Sequence, residues 1–338
     1  NRLNELQNNF PQLARKEIVA QPDFEKIKSL NVWGWDKAVI KQFSNMGAPE
    51  NLLLNPFDVE NIKRLSHRRN AIDALNFVRN NASTSLQKIF PEKPIEIFDL
   101  NVAEEFALVK KPAVFKAPWS GSGKGLSWVR GKLSDSHRGW IKNTIKKQGS
   151  VIAEQIYKVV ENFALEFECK NGEVFFEGYS LFDSEGGIYR GNILMSDAKI
   201  VEHLTKYFIS KENLLEVQNH LKEFIRLNIA PFYSGVLGID MFIFEENKLL
   251  KLHPCVEINL RMTMGYVAHE FFRNFVQIEN TGRFYIDHNP AAGALWNDHN
   301  ERITKFPLEV ENGRIKSGYL SLTEVGEHSN YRVRVEVE

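Results

Sequence analysis

The chain has 338 residues, and 43 Lys and Arg balance 43 Asp and Glu, so the formal net charge is +0 at pH 7. That balance excludes a global field for nucleic acid or an anionic membrane, no apolar run approaches the ~20 residues of a spanning helix, and no signal-peptide pattern opens the chain. Cys169 and Cys255, the two cysteines, make neither a disulfide framework nor a zinc pattern and point to a reducing cytoplasm.

Residues 1–90 read as a small α/β unit. Residues 30–35 (LNVWGW) are strand-like, Asp36 caps a helix over 37–43, and Gly47, Ala48 and Pro49 stop it. Residues 52–54 read as a second strand, and Asp58 opens a helix toward Leu65. After Ser66 and His67 come Arg68 and Arg69, then a helix over 70–79. The two arginines read either as a solvated helix start or as cations reaching a phosphate from a neighbouring domain. Trp33, Trp35 and Asp36 lie where a strand meets a helix, an edge that holds ligands in α/β sheets, although an aromatic there is more often core.

Residues 91–155 form a second unit. A strand at 95–98 and a helix over 102–109, capped by Asn101, lead to 113–126, AVFKAPWSGSGKGL. Ala113, Val114 and Phe115 deliver Lys116, Pro118 turns the chain, and a loop of Ser120, Gly121, Ser122, Gly123, Lys124 and Gly125 follows. Glycine lets backbone N–H groups close on an anion, while hydroxyls and lysines add donors and charge, which is the chemistry of a polyphosphate cover. Two rival motifs fail. Pro118 holds the first glycine position of a Walker A loop and Gly125 its final hydroxyl position; the alternating Gly121, Gly123 and Gly125 do not match G-x-G-x-x-G. A helix from Ser134 or Asp135 through Lys147 ends at Gly149, and a strand returns at 151–154. With few large apolar residues, this unit suits a mobile lid.

Residues 156–290 alternate strands and helices. Strands at 164–169 and 174–181 make a hairpin around Asn171 and Gly172, and Gly186-Gly187 makes a turn. A helix spans 214–227, strands cover 236–244 and 249–260 around a polar turn at 245–248, and a helix covers 267–275. From 291 the tail adds small strands at 319–323 and 331–337.

The chemistry gathers in 256–262, VEINLRM. Glu257, Asn259 and Arg261 alternate, so a strand projects all three from one face. Poor core material, they suit a magnesium site beside a phosphate. Asp240 sits between Ile239 and Met241, where a lone acid is costly unless paired or metal-bound. A plain hairpin turning at 245–248 sets Asp240 opposite His253. Pro254 cannot donate to a ladder and marks a bulge that corrects the register; without that bulge, His253 faces the site and Asp240 is structural. Glu154 and Gln155 end their strand, where backbone groups through Ile156 suit an adenine edge and Glu161 suits ribose hydroxyls. The competing reading there is an exposed strand end and an acidic loop.

This order of parts resembles the ATP-grasp superfamily over about 66–275, with E-x-N-x-R as its most specific piece, and residues 1–65 look like the α/β domain that precedes that fold. The resemblance implies two α+β subdomains clamping ATP behind a small Rossmann-like α/β domain: 1–90 N-terminal, 91–155 lid, 156–290 core with the metal site, and 291–338 a β-rich tail. It further implies that Lys116 meets the α/β-phosphates, with Arg68 or Arg69 as the earlier phosphate contact and 120–125 as the flap. Glu154, Gln155 and Ile156 form the adenine hinge, with Glu161 at the ribose. Asp240, Glu257 and Asn259 hold Mg2+, or Mn2+, and Arg261 stands beside the reacting phosphate.

The activity implied is a ligase joining a small-molecule or peptide carboxylate to an amine through an acyl phosphate, without nucleic-acid or membrane partners. A homodimer is the commonest assembly for such a chain. A small-molecule kinase of the same fold and a nucleotide-binding module without catalysis stay open. Some ligases of the superfamily carry an arginine two residues before the strand aspartate. Here that position is Gly238, which leaves more of the charge to Arg261 or implies a different acceptor. The acceptor is expected near Trp33, Trp35, Asp36, 178–181 and 189–192.

Overall fold

A computed structural model describes residues 2–121, 125–185, 188–207 and 209–338. The first part of the chain is helical: α1 (Arg2–Asn9), α2 (Lys37–Asn45), α3 (Pro56–Leu65), α4 (Arg69–Asn81) and α5 (Thr84–Gln87). Asp36 caps α2 by accepting from the Val39 amide, and Asn55 caps α3 with Pro56 at its first position. The expected Rossmann-like α/β unit in residues 1–90 does not form, because among the described residues no strand precedes β1 (Ile95–Ile97). A short apolar run needs a ladder to complete, and none lies beside these. Residues 30–36 form an irregular strap whose Trp33 carbonyl accepts from the Met262 amide at 2.7 Å. The expected strand at 52–54 follows Pro49 and meets a 3-10 turn, Glu50–Leu52, instead.

Next come α6 (Leu100–Val109), capped by Asp99 rather than Asn101, β2 (Ala113–Lys116), β3 (Leu126–Val129), α7 (Asp135–Gln148) and β4 (Val151–Gln155). Ser134 and His137 make a capping box for α7, and Gly149 ends it at φ 85°, a left-handed position that suits glycine. The strands form an antiparallel sheet in the order β1-β4-β2-β3. One face packs Ile97, Phe115, Val129, Val151 and Ala153 under helices. Strand alternation sends Glu96, Lys116, Ile152 and Glu154 to the other face.

The rest of the chain builds the larger sheet. Its elements are β5 (Lys158–Lys170), β6 (Glu173–Glu185), β7 (Ile188–Leu194), α8 (Asp197–Thr205), α9 (Lys211–Asn228), β8 (Gly235–Glu246), β9 (Leu249–Asn259) and α10 (Met264–Phe275). Then follow β10 (Gly282–His288), α11 (Ala294–Lys305), β11 (Glu309–Glu311), β12 (Arg314–Ser321) and β13 (Tyr331–Val337). The order is β11-β12-β13-β10-β7-β6-β5-β8-β9, all antiparallel. The β5–β6 hairpin turns at Asn171 and Gly172 with φ 54° and 79°, as Asn-Gly favours. The Gly186-Gly187 turn lies outside the described residues. Neither α8 nor α11 was expected from sequence. The whole is a mixed α+β fold of two antiparallel sheets, and no helix among the described residues is long and apolar enough to cross a membrane.

One face of β5, β8 and β9 is apolar. Phe163, Leu165, Phe167, Ile239 and Met241 pack there with residues of α4, α8 and α9, including Leu75, Val78, Leu204, Leu221 and Ile225. Residues 65–90 therefore belong to the core of the larger sheet, whereas Phe10 packs with Phe272, Phe284 and Val335 in a second core. The opposite face of β5, β8 and β9 carries Ala164, Glu166, Gly238, Asp240, Glu257 and Asn259.

Leu75 is fully buried at the α4 contact with this sheet. Leu75→Ala should cost about 2–5 kcal/mol of stability and lower the single main unfolding transition. A separate early transition of the N-terminal helices, with the rest unmoved, would contradict a shared core.

Candidate active site

Beyond their turn at Asn247 and Lys248, β8 and β9 keep plain hairpin register as far as Phe242 opposite His253. The register then shifts, and Asp240 stands opposite Glu257. Pro254 falls inside the shifted stretch, where its missing N–H costs no ladder bond. The turn is tighter than the expected 245–248, so an unshifted ladder would set Asp240 opposite Cys255; the bulge sets it opposite Glu257, and His253, opposite Phe242, faces the site as well, so the two are not alternatives. Asn259 donates from Nδ2 to Asp240 Oδ2 at 3.1 Å, and Arg261 donates from Nη2 to Asn259 Oδ1 at 3.0 Å.

Arg68 joins this group from the start of α4. Its Nη2 lies 3.0 Å from both Glu257 oxygens, while Nη1 donates to the Ala117 carbonyl at 2.6 Å and to Ser120 Oγ at 2.5 Å. Arg69 does not join it. That side chain is exposed and donates to Glu96 at 3.1 Å. The loop root closes on glycine: a Cβ on Gly125 would stand 2.1 Å from Ser120 Oγ, and the Gly125 carbonyl accepts from the Ala117 amide at 2.8 Å. Gly121 is exposed, and Ser122, Gly123 and Lys124 lie outside the described residues.

Lys116, on the inward face of the smaller sheet, donates to Glu154 Oε2, and His253 of β9 bonds Glu154 Oε1 at 2.6 Å. This triad bridges the two sheets. Burial alone would raise Glu154, but Lys116 and His253 beside it hold it down to about 2. Its carboxylate is thus locked in an ion pair rather than open at a strand end. The Ile156 amide donates to the Pro112 carbonyl at 2.9 Å, and Gln155 ends β4 opposite Ala113. Tyr157 packs on Phe244 with ring centroids 4.3 Å apart, and Phe242 on His253 at 4.8 Å.

Glu161 does not reach the site. A bulge after Val159 pairs it with Ile243, which turns it to the apolar face of β5, and its Oε2 accepts from His203 and Tyr207 at 2.7 and 2.8 Å. The β5 residue beside it that does face the site is Asn162, opposite Phe242.

Sequence reasoning also missed Glu166. It is 1% exposed, its Oε2 accepts from the Thr263 hydroxyl at 2.8 Å, and its Oε1 has no partner among the described residues. A Cβ on Gly238 would lie 2.8 Å from Oε2, and one on Gly265 2.2 Å from Oε1. A side chain at 238 would have to displace Glu166 or the Thr263 methyl, 2.8 Å away, so the space an arginine would need is already occupied. The alternation of Leu165, Glu166, Phe167 and Glu168 was the available signal. Burial pushes Glu166 up to about 8 against the pull of the Thr263 hydroxyl. Burial, then the like charge of Glu257, pushes Asp240 up to about 7.

On the expected acceptor side, Gly34 passes close over Arg261, and a Cβ there would stand 3.1 Å from the arginine Cβ. Asp36 is spent on its helix cap. Tyr189 belongs to β7 rather than a turn; its hydroxyl donates to Asn192, which donates to Ser180 Oγ at 2.7 Å. Two cavities lie outside the acidic face. One of about 250 Å³ lies at the C-terminal end of β4, lined by Glu92, Phe106, Lys110, Glu154, Gln155 and Tyr157, and so opens on the strand end expected to serve as the hinge; one of about 600 Å³ lies between Gly172, Phe175 and Arg226.

Among the described residues no three His, Cys, Asp or Glu side chains form a metal cage. Asp240, Glu257 and Asn259 nonetheless bring hard-oxygen donor groups to one face, where the Glu257 oxygens are held by Arg68 and the Asn259 oxygen by Arg261. Such a partial shell fits magnesium, which keeps waters and shares substrate phosphates.

No protein-family model matches the sequence, and no curated protein matches it. Solved structures do share its architecture. N5-carboxyaminoimidazole synthetase from Staphylococcus aureus, complexed with ADP, is 14% identical with a TM-score of 0.51, over 81% of this chain and 68% of that one. The Aspergillus clavatus N5-carboxyaminoimidazole synthase, in complex with ADP and 5-aminoimidazole ribonucleotide, is 12% identical with a TM-score of 0.51, over 92% and 76%. The chain has the ATP-grasp fold. The biotin carboxylase domain of a Hydrogenobacter thermophilus 2-oxoglutarate carboxylase, crystallised with MgADP and bicarbonate, is 11% identical with a TM-score of 0.51, over 82% and 62%. Within the ATP-grasp fold, these likenesses carry the architecture; the chemistry rests on this chain's own residues.

Glu166 holds its proton more tightly folded than unfolded. Between the ordinary carboxyl range and about pH 8 the folded state therefore binds the extra proton, and stability falls as pH rises. Glu166→Gln keeps an acceptor for Thr263 and removes the titration. Urea melts from roughly pH 5.5 to 9 should show the wild type losing stability toward pH 8 while the variant stays more level. An equal decline in both would assign the titration to another group.

Proposed function

We propose that the chain is an ATP- and magnesium-dependent ligase that joins a carboxylate to an amine, or a similar nucleophile, through an acyl phosphate. The observation that carries this is the sheet face bearing Asp240, Glu257 and Asn259, with Arg261 bonded to Asn259 from the bend just past β9, bridged by Arg68 to the loop after Lys116. The ADP in the two synthetase neighbours, and the MgADP and bicarbonate of the biotin carboxylase domain, support a nucleotide with a small acceptor. Buried free thiols at Cys169 and Cys255 suit a reducing cytoplasm.

In this reading Lys116 exchanges Glu154 for the α/β-phosphates, and Arg68, not Arg69, supplies the second phosphate cation. The base lies against Phe242, His253 and Tyr157, next to the hinge at Glu154, Gln155 and Ile156, and Asn162 takes the ribose role first given to Glu161. Asp240, Glu257 and Asn259 would hold magnesium, which would supply neutralisation of phosphate charge and polarisation of the γ-phosphoryl group. A carboxylate oxygen of the substrate attacks the γ-phosphorus, the bond to the β-bridging oxygen breaks, and ADP leaves. The amine nitrogen then attacks the acyl carbon, and phosphate departs. Arg261, braced by Asn259 and the Met262 carbonyl, meets the charge on the transferred group. Alignment and charge neutralisation supply most of the rate, since little covalent chemistry is asked of the protein.

Arg261→Ala should cut turnover by about 10²–10³-fold with a small change in ATP affinity, whereas Lys116→Ala should weaken ATP binding itself. Calorimetry beside steady-state kinetics separates the two, and equal losses in both for Arg261→Ala would remove its assigned role. An ADP-release screen of amino acids, peptides and hydroxy acids, with mass spectrometry of the products, tests the reaction. An amide with ADP and phosphate supports the ligase, and a stable phosphorylated product would replace it with a kinase. ATP binding without turnover across the panel would leave only a binding module.

A further inference from the structure

Arg68 sits where three parts of the chain meet. It begins at the N-terminal edge of α4, its side chain is 6% exposed, and its guanidinium touches both the carboxylate of β9 and the root of the loop that follows β2. Its backbone amide adds a bond to the Pro118 carbonyl at 3.1 Å, and Nη2 lies 3.4 Å from the Ser120 carbonyl. Guanidinium is a planar fork of donors with no acceptor, so it can serve a carboxylate, a carbonyl and a hydroxyl at once.

The carboxylate it holds is the one that faces Asp240 across the strand pair. A cation at Glu257 offsets the repulsion of two acids directly opposite. In this structure that cation is Arg68. A divalent metal at the same oxygens would bring like charge against the guanidinium and take the lone pairs it uses.

We propose that Arg68 is a positioning residue that couples the carboxylate pair to the glycine loop: its guanidinium occupies the cation place on Glu257 until a divalent metal takes it, and pins Ala117 and Ser120 to the core while it does. This rests on the metal-nucleotide reading given above. Metal binding and the freedom of the loop root are then two ends of one exchange. Filling the site releases Arg68 toward the incoming phosphates and loosens the loop root in the same event.

The test uses the full chain without nucleotide. Mn2+ binding is followed by electron paramagnetic resonance, and amide hydrogen exchange is followed by mass spectrometry over residues 113–121. In the wild type, saturating Mn2+ should speed exchange in that stretch. Arg68→Gln should exchange fast with or without metal and bind Mn2+ at least about threefold more tightly. Arg68→Lys keeps the charge but not the fork, so its exchange should be fast while its Mn2+ affinity stays close to the wild type. Slow, metal-insensitive exchange in Arg68→Gln, or weaker Mn2+ binding by a variant with a normal urea midpoint, would overturn the coupling. Should Arg68→Gln fail to fold, Glu257→Gln decides: loss of the anchor must speed exchange without metal, and unchanged exchange refutes the proposal. ATP affinity of the wild type, measured in the same samples, reports on the ligase reading separately. A chain that binds Mn2+ and frees its loop but ignores ATP would keep the coupling and lose the ligase.

Discussion

Two acidic side chains, Asp240 and Glu257, stand directly across one strand pair, and much of the molecule is arranged to tolerate that. Like charges in that position destabilise a sheet unless something offsets them. Arg68 meets Glu257, Asn259 donates to Asp240, and Arg261 lies behind Asn259. The strain is raised further by protein on most sides, which shows as the upward push on Asp240. A folded chain that keeps such a pair holds a standing demand for positive charge, and an enzyme handling a metal-bound polyphosphate can use that demand.

The two sheets meet through their polar faces because each apolar face is already covered by helices. The smaller sheet packs Phe115 and Ile141 on its helical side and turns Lys116 and Glu154 inward. The larger one packs Phe163 and Leu237 against α4 and α9 and turns Asp240 and Glu257 inward. Contacts join them at both ends. Lys116, Glu154 and His253 close one end; Arg68 with Ala117 and Ser120 closes the other, where Trp119 also donates to the Lys63 carbonyl at 2.8 Å and meets the His67 ring edge-on. A ligand entering between the sheets must exchange these ion pairs for its own charges, so the resting contacts and the binding contacts draw on the same side chains.

Glycines mark where main chain or carboxyl groups crowd the site. Gly238 and Gly265 leave room for Glu166, and Gly125 leaves room for Ser120. Their role depends on neighbours distant in sequence, which is why Gly238 looks like a missing arginine when read along the chain and like a wall of the Glu166 pocket when read in space.

Local chemistry was enough to find the caps of α2 and α7, the Asn171-Gly172 turn, the strand that delivers Lys116, and the shared face of Glu257 and Asn259, because capping, turn geometry and alternation act over a few residues; Arg261 lies in the bend past the strand end and reaches Asn259 from there. The bulge at Pro254 was legible for the same reason: a residue without an N–H announces a break in a ladder. Partner choice was not legible. The run at 30–35 has strand composition but no neighbouring strand, and only the folded chain makes it a strap over Arg261. Arg68 and Arg69 are alike in sequence, yet one residue of helix rotation sends the first to Glu257 and the second to Glu96. Glu161 and Asn162 exchange faces through a single bulge, since strand side chains alternate with period two. The sequence by itself determined which residue types and short patterns were available for a cation and a phosphate. Tertiary structure decided which of them share a face, because register and helix phase are set by long-range packing that no local window contains.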